Sequence, residues 1–283
     1  MTLTAFVLLV IAALFHTAWN FLLKRSENRL VIIWWAILIG SGAFLPLLFL
    51  TGLPARSVWG WFFLSVLVEI AYYIVLSISY EVGDFSVVYP FARGSAPLFL
   101  LVWSTLVLRE GLTPGGVIGI AVLVAGLVLI TTSSGAVGSG RAKPAGLLLA
   151  ILLGLLISVY TAIDGEMVKH TSPLGYGILI FFAVPVFTMP LVFWRFGREM
   201  MISEIMAQPW KITAIGVFSV AAYLLALFAY QSSKVGYSGT VREISVVFGG
   251  IAGWLLLKER FGPWRAVGSA VIFVGMLMIG FLG

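Results

Sequence analysis

Residues 103–130 read WSTLVLREGLTPGGVIGIAVLVAGLVLI, and residues 253–280 read GWLLLKERFGPWRAVGSAVIFVGMLMIG. Each stretch joins the end of one apolar run to the start of the next through a basic residue, a glutamate and a short turn closed by proline. A shift of 149 residues lays one on the other: Leu106 falls on Leu255, Leu108 on Leu257, Arg109-Glu110 on Lys258-Glu259, Pro114 on Pro263, Gly119 on Gly268 and Gly126 on Gly275. Upstream, Arg93 falls on Arg242 by the same shift. Self-similarity at a fixed offset marks an internal repeat, so the chain is two copies of one unit. Before residue 85 the register drifts, as an insertion after the seventh apolar run would produce.

Working outward, apolar runs at 3–23, 30–50, 58–79, 85–108, 113–132, 145–163, 174–194, 210–231, 236–257 and 263–282 each approach the roughly 20 residues that a helix needs to cross a bilayer. Hydrophobic residues make up 61% of the 283 and charged residues only 10%, where soluble domains carry roughly 45–50% and 25%. A soluble enzyme, a nucleic-acid binder and a disordered tail are excluded, and the net charge of +6 reads as topology signals between spans. Backbone groups in hydrocarbon must be satisfied within each segment, and the runs lack a barrel's alternation. The fold expected is an all-α integral membrane protein. Its ten transmembrane helices form two five-helix repeats, 1–134 and 145–283, joined by a Gly/Ser-rich linker at 135–144. Five is odd, so the second half enters the membrane in the opposite sense, giving an inverted repeat around a central cavity with its site near the midplane.

The first run lacks a basic n-region and a cleavage site and is followed at once by Lys24, Arg25 and Arg29, so it reads as a retained helix. Lys and Arg gather in one set of alternate connections (24, 25, 29, 141, 143, 195, 198, 211, 258, 260, 265) against Arg56, Arg109, Lys169 and Lys234 in the other. The positive-inside rule then puts both termini outside the cytoplasm of a plasma or inner membrane.

The two quoted stretches resemble the closing helix pair of each half of a drug/metabolite transporter of the EamA type: a Gly/Ala-rich helix, an aliphatic run, a basic residue with Glu, a turn and a Gly-spaced final helix. HTAWNFLLK at 16–24 is similar to that family's Trp and Asn near the end of its first helix. The resemblance covers essentially the whole chain and implies a permease. The chain departs from the family where a Glu-Pro pair usually stands in helices four and nine, having Ala96-Pro97 and Ser245-Val246. Several bacterial relatives are described with termini inside, opposite to the charge count.

Ionisable groups within a span cost roughly 2.5–3.5 kcal/mol to insert, which makes each a functional candidate. Glu69 lies mid-span, with Tyr72 and Tyr73 at i+3 and i+4. Arg93, flanked by Pro90 and Pro97, is expected on a broken helix, and Arg242 takes its place in the second half. Together they would face one cavity and suit a carboxylate, phosphate or phosphonate, as basic residues do on the fourth and ninth helices of the superfamily's organic-phosphate antiporters. Glu243 would pair with either guanidinium, and Glu69, Glu243 or His16 would carry a coupling proton or gate. His16, Asn20 and Lys24 form one stripe beside Trp19. Tyr160, Thr161 and Asp164 answer it in the second half, Asp164 being expected near the membrane surface. Tyr89, Tyr223 and Tyr230 would line the cavity. Gly115, Gly119, Gly249 and Gly253 read as close-packing positions, and Arg109-Glu110 and Lys258-Glu259 as structural span ends.

The function expected is secondary active transport, by alternating access, of a small anionic or zwitterionic metabolite: an amino acid, organic phosphate or phosphonate. The alternative is cation or drug export with Glu69 as counter-ion; a channel or a lipid-modifying enzyme comes after. The absence of Cys and of HExxH, GxSxG and Walker A patterns argues against catalysis and ATP drive. No cofactor, metal or nucleic acid is expected, and the partners are the bilayer, the substrate and, in a homodimer, a second copy.

Overall fold

The computed structural model describes residues 1–24, 26–82, 85–133, 144–257 and 263–283. Twelve α-helical segments follow in order among them: α1 (Leu3–Lys24), α2 (Arg29–Phe44), α3 (Leu48–Thr51), α4 (Trp59–Val82), α5 (Phe85–Leu106), α6 (Pro114–Ser133), α7 (Pro144–Met167), α8 (Pro173–Ala207), α9 (Pro209–Gln231), α10 (Val235–Val241), α11 (Ser245–Leu257) and α12 (Pro263–Leu282). Short 3₁₀ turns at Leu45–Leu47, Arg56–Val58 and Arg242–Ile244 link some of them, and no strand occurs among the described residues. Proline opens α6, α7, α8, α9 and α12, where its missing N–H is lost at no cost and its fixed φ suits the first turn.

Six of these stretches are long and apolar enough to cross a membrane: Leu3–Leu23, Arg29–Thr51, Arg56–Leu76, Pro144–Met167, Pro173–Ala207 and Pro209–Gln231; Pro114–Ile130 and Ala266–Leu282 are shorter apolar helices. Their outer faces are as greasy as their inner ones. α1 exposes Leu3, Val7, Ile11 and Leu14 along one stripe while burying Ala5, Leu9, Ala12 and Ala13 on the other. Water would penalise such a surface and lipid would not.

The halves interleave. α1 packs on α9 and α7 on α4; α1 on α11 and α7 on α5; α2 on α9 and α8 on α4; while α2 meets α8 and α6 meets α12. At the α6–α12 crossing a Cβ on Gly126 would strike Gly268 O, and one on Gly275 would strike Gly119 O. The 149-residue shift exchanges these two contacts with each other. Gly115 likewise lies against Leu282, but Gly249 has nothing within 4 Å of a Cβ, so no close packing holds there. The expectations for Gly253, for the linker at 135–144 and for Lys258-Glu259 fall outside the described residues or side chains.

Two local readings change. The stretch after the seventh run is no loop: α8 runs to Ala207 and bends at Gly197, whose φ of 75° is open to glycine. Beyond the bend the chain turns back on α2, with Trp35 Nε1 donating to Met201 O at 2.9 Å and Asn28 Nδ2 to Glu204 Oε1. Next, α5 stays one helix past Arg93 and Pro97, although proline removes a backbone donor and crowds the preceding turn. The break comes instead in the proline-free equivalent, where the 3₁₀ turn Arg242–Ile244 separates α10 from α11. Asp164, expected near the membrane surface, stands in the last turn of α7 before Met167 and is fully enclosed by protein.

Candidate polar site at the centre of the bundle

The buried ionisable groups gather from four helices, α1, α4, α5 and α7, and the 3₁₀ turn. Arg93 on α5 pairs with Glu243, Nη1 to Oε1 at 3.0 Å, both side chains more than nine-tenths buried. Its Nη2 meets His16 Nε2 of α1, and the His16 ring stands edge-on to Trp19 with centroids 5.0 Å apart. Asn20 donates to His16 O at 2.7 Å, so its amide serves its own helix. A guanidinium with a carboxylate on one side and an imidazole on the other is compensated, which is what burial requires of it.

Across the bundle, Asp164 on α7 collects three hydroxyls: Ser65 Oγ of α4 at 2.5 Å and Tyr176 of α8 at 2.8 Å, both to Oδ1, and Tyr223 of α9 to Oδ2. Glu69, one turn beyond Ser65 on α4, faces Asp164 and Tyr223. Tyr72 packs on Tyr73 at 5.2 Å and on Tyr160 at 6.0 Å between centroids, building an aromatic wall beside Glu69.

Arg242 lies between these clusters. Its guanidinium lies near Tyr160, Tyr230, Arg93 and Glu243. Five buried side-chain atoms lack a hydrogen-bond partner among the described residues: Thr161 Oγ1, Tyr230 OH, Arg242 Nε, Glu243 Oε2 and Ser245 Oγ. All five lie on the 3₁₀ turn, on the residue after it or on the facing helices α7 and α9. Buried polar groups are overwhelmingly paired, so this concentration of unpaired donors and acceptors is an exception within the bundle.

The structure therefore brings together Glu69, Arg93, Arg242, Glu243, His16, Trp19, Tyr72, Tyr160 and Tyr230, and leaves Asn20 locally engaged. The side chains of Tyr89 and Lys24 lie outside what is described. Sequence reasoning missed Ser65, Tyr176 and the enclosure of Asp164 by protein. Ser65 was available as i−4 to Glu69 on the same face; Tyr176 left no signal, because its role comes from tertiary packing. Among the described residues no cluster of His, Asp and Glu has the arrangement of a metal site.

At one end of the bundle Glu110 holds the start of α10, accepting from Val235 N–H at 2.6 Å and Gly236 N–H at 3.0 Å, with Lys169 Nζ 3.6 Å away. Arg109 takes a positive φ of 53° in the turn before it, and Glu110 bonds across to α10 rather than to Arg109.

Comparison with known proteins bears on the family and the fold. A human protein named solute carrier family 35 member G1 is 31% identical over 64 residues, covering 23% of this chain and 18% of its own. An uncharacterized transporter of Archaeoglobus fulgidus is 22% identical over 188 residues, 65% of this chain and 64% of its own. The chain thus matches less than two thirds of either relative's length. A crystal structure of a protein with 15% identity superposes with a TM-score of 0.80, covering 100% of this chain and 98% of that one, and shares the fold. Residues 3–132 and, separately, 144–281 each match the EamA-like transporter family, and the chain belongs to that family as a multi-pass membrane protein built from two of its repeats.

Proposed function

We propose that this protein is a secondary transporter that moves a small zwitterionic or anionic metabolite by alternating access between two inverted five-helix repeats, ten spans in all. The first is residues 1–134 and the second 145–283. The exchange of the Gly126–Gly268 and Gly119–Gly275 contacts under the repeat shift supports a two-fold relation between the repeats, and an odd number of spans in each turns that axis into the membrane plane. The observation that carries the substrate reading is the unpaired set at the 3₁₀ turn: an N–H of Arg242 seeking an acceptor beside a Glu243 oxygen seeking a donor. A guest with a carboxylate or phosphate and an amine or hydroxyl answers both. Tyr160 and Tyr230 flank it, with Tyr72, Tyr89, Trp19 and Asn20 completing the wall, and Glu69, Glu243 and His16 serve coupling or gating. The membrane is a plasma or inner membrane, with both termini on its non-cytoplasmic face.

A second reading has its own support. Glu69, Asp164 and Glu243 outnumber Arg93 and Arg242 in the buried centre, an excess of carboxylates that favours a cationic guest with Glu69 as counter-ion. Thermal stabilisation of the purified protein in detergent separates the two, since a ligand of the folded state adds about 2.7 kcal/mol at a hundredfold excess over Kd. A zwitterion or anion that raises Tm in wild type and not in Arg242→Gln supports the first reading. A shift confined to cations and retained in Arg242→Gln overturns it in favour of the second.

A further inference from the structure

A crevice of about 260 Å³ runs between α2, α4 and α8, away from the Arg242 cluster. Its walls are almost wholly aliphatic and aromatic, with Leu30 and Trp34 of α2 opposite Tyr73, Ile74 and Ile78 of α4. Two polar side chains on those walls are turned to the backbone: Trp34 Nε1 donates to Pro185 O at 3.1 Å and Thr188 Oγ1 at 3.2 Å, and Thr188 in turn donates to Val184 O at 2.7 Å. One formal charge lines the crevice, Arg195 near the Gly197 bend of α8, its guanidinium 5.5 Å from the Phe196 ring centre. Ile74 and Ile78 are 40% and 44% exposed on a helix that crosses the membrane, so the crevice opens sideways to lipid.

We infer that this crevice binds an anionic phospholipid from the surrounding bilayer, its phosphate at Arg195 and one acyl chain along α8 toward Tyr73. Shape and charge agree with that occupant. A cation at one end and an unbroken apolar interior complement a negative head on a hydrocarbon tail, whereas a soluble anion would leave the apolar length unused. From Arg195 to Val184 the helix rises about 16 Å, close to the roughly 15 Å of one leaflet's hydrocarbon. The inner end is Tyr73, whose ring packs on Tyr72 and whose hydroxyl neighbours Glu69. A bound chain therefore presses on the partition between crevice and polar centre, and lipid occupancy bears on how the centre rearranges.

The test uses the full-length protein in detergent with no substrate present, so its outcome is independent of the transport reading. Phosphatidylglycerol and phosphatidylcholine of identical acyl chains are titrated, with inorganic phosphate as a third arm, against wild type, Arg195→Gln and Ile74→Trp. The expected result is that phosphatidylglycerol raises Tm by about 3 °C more than phosphatidylcholine, that phosphate alone does nothing, and that both variants lose the difference. Equal shifts from the two lipids, a shift from phosphate alone, or survival of the difference in either variant overturns the assignment. If Ile74→Trp fails to fold, the exposed Arg195→Gln decides.

Discussion

Tyr223 and Tyr230 lie two turns apart on α9, both buried, and differ in what their hydroxyls meet. Tyr223 donates to Asp164, while the Tyr230 hydroxyl is unpaired among the described residues. Deleting a hydrogen bond to a charged group costs about 1.5–3 kcal/mol, whereas deleting an unsatisfied buried hydroxyl removes a penalty. Tyr223→Phe should therefore lower stability by about 2 kcal/mol and Tyr230→Phe should leave it equal or higher, both read from unfolding in detergent. If Tyr230 is a wall of the substrate site, Tyr230→Phe should still weaken ligand-induced stabilisation. Equal destabilisation by the two changes would contradict the distinction.

At the scale of the element, glycines that look alike in sequence have opposite costs. A Cβ on Gly275 would lie 2.5 Å from Leu123 N, while one on Gly249 meets nothing within 4 Å. Gly275→Ala should cost about 1–3 kcal/mol by overpacking, and Gly249→Ala should be neutral or stabilising, as a backbone freed of glycine entropy allows. Thermal melts of the two variants side by side check this. The apolar runs were legible because the bilayer dictates both length and composition of a spanning helix, and the described helices lie on the runs read at 3–23, 85–108 and 210–231 within a few residues. The break at Arg242–Ile244 was not legible, for its residues carry no proline and local propensity says nothing about a helix that tertiary packing interrupts. Residues 198–207 misled for the opposite reason: charged and apolar side chains mixed at a span's end read as a connection, whereas the helix there is held by Met201 against Trp35 of α2 and by Glu204 against Asn28 just before it. Of the polar centre, the residues far from span ends could be read. The enclosure of Asp164 could not, because the end of an apolar run does not show which helices pack over it.

For the whole molecule, the contact between α5 and α10 offers a way to hold one conformation. The Cβ that Gly236 would carry lies 2.9 Å from Ser104 Cβ, near enough for a disulfide after a small adjustment toward the usual 3.8 Å, and the chain has no native cysteine to compete. Oxidised Ser104→Cys/Gly236→Cys should stop counterflow in proteoliposomes, and reduction should restore it. Undiminished counterflow in the cross-linked protein would mean that this end does not open. The glycine seam of α6 and α12 has a consequence of another kind. Because residue 119 in one half touches 275 in the other, and 126 touches 268, the duplicated segments are each other's nearest neighbours along their length. A gene duplication normally frees its copies to diverge, yet here enlargement of a residue in one copy is felt at once by the other. The two halves of this chain are therefore bound to a shared history along that seam, while elsewhere each remains free to acquire its own chemistry.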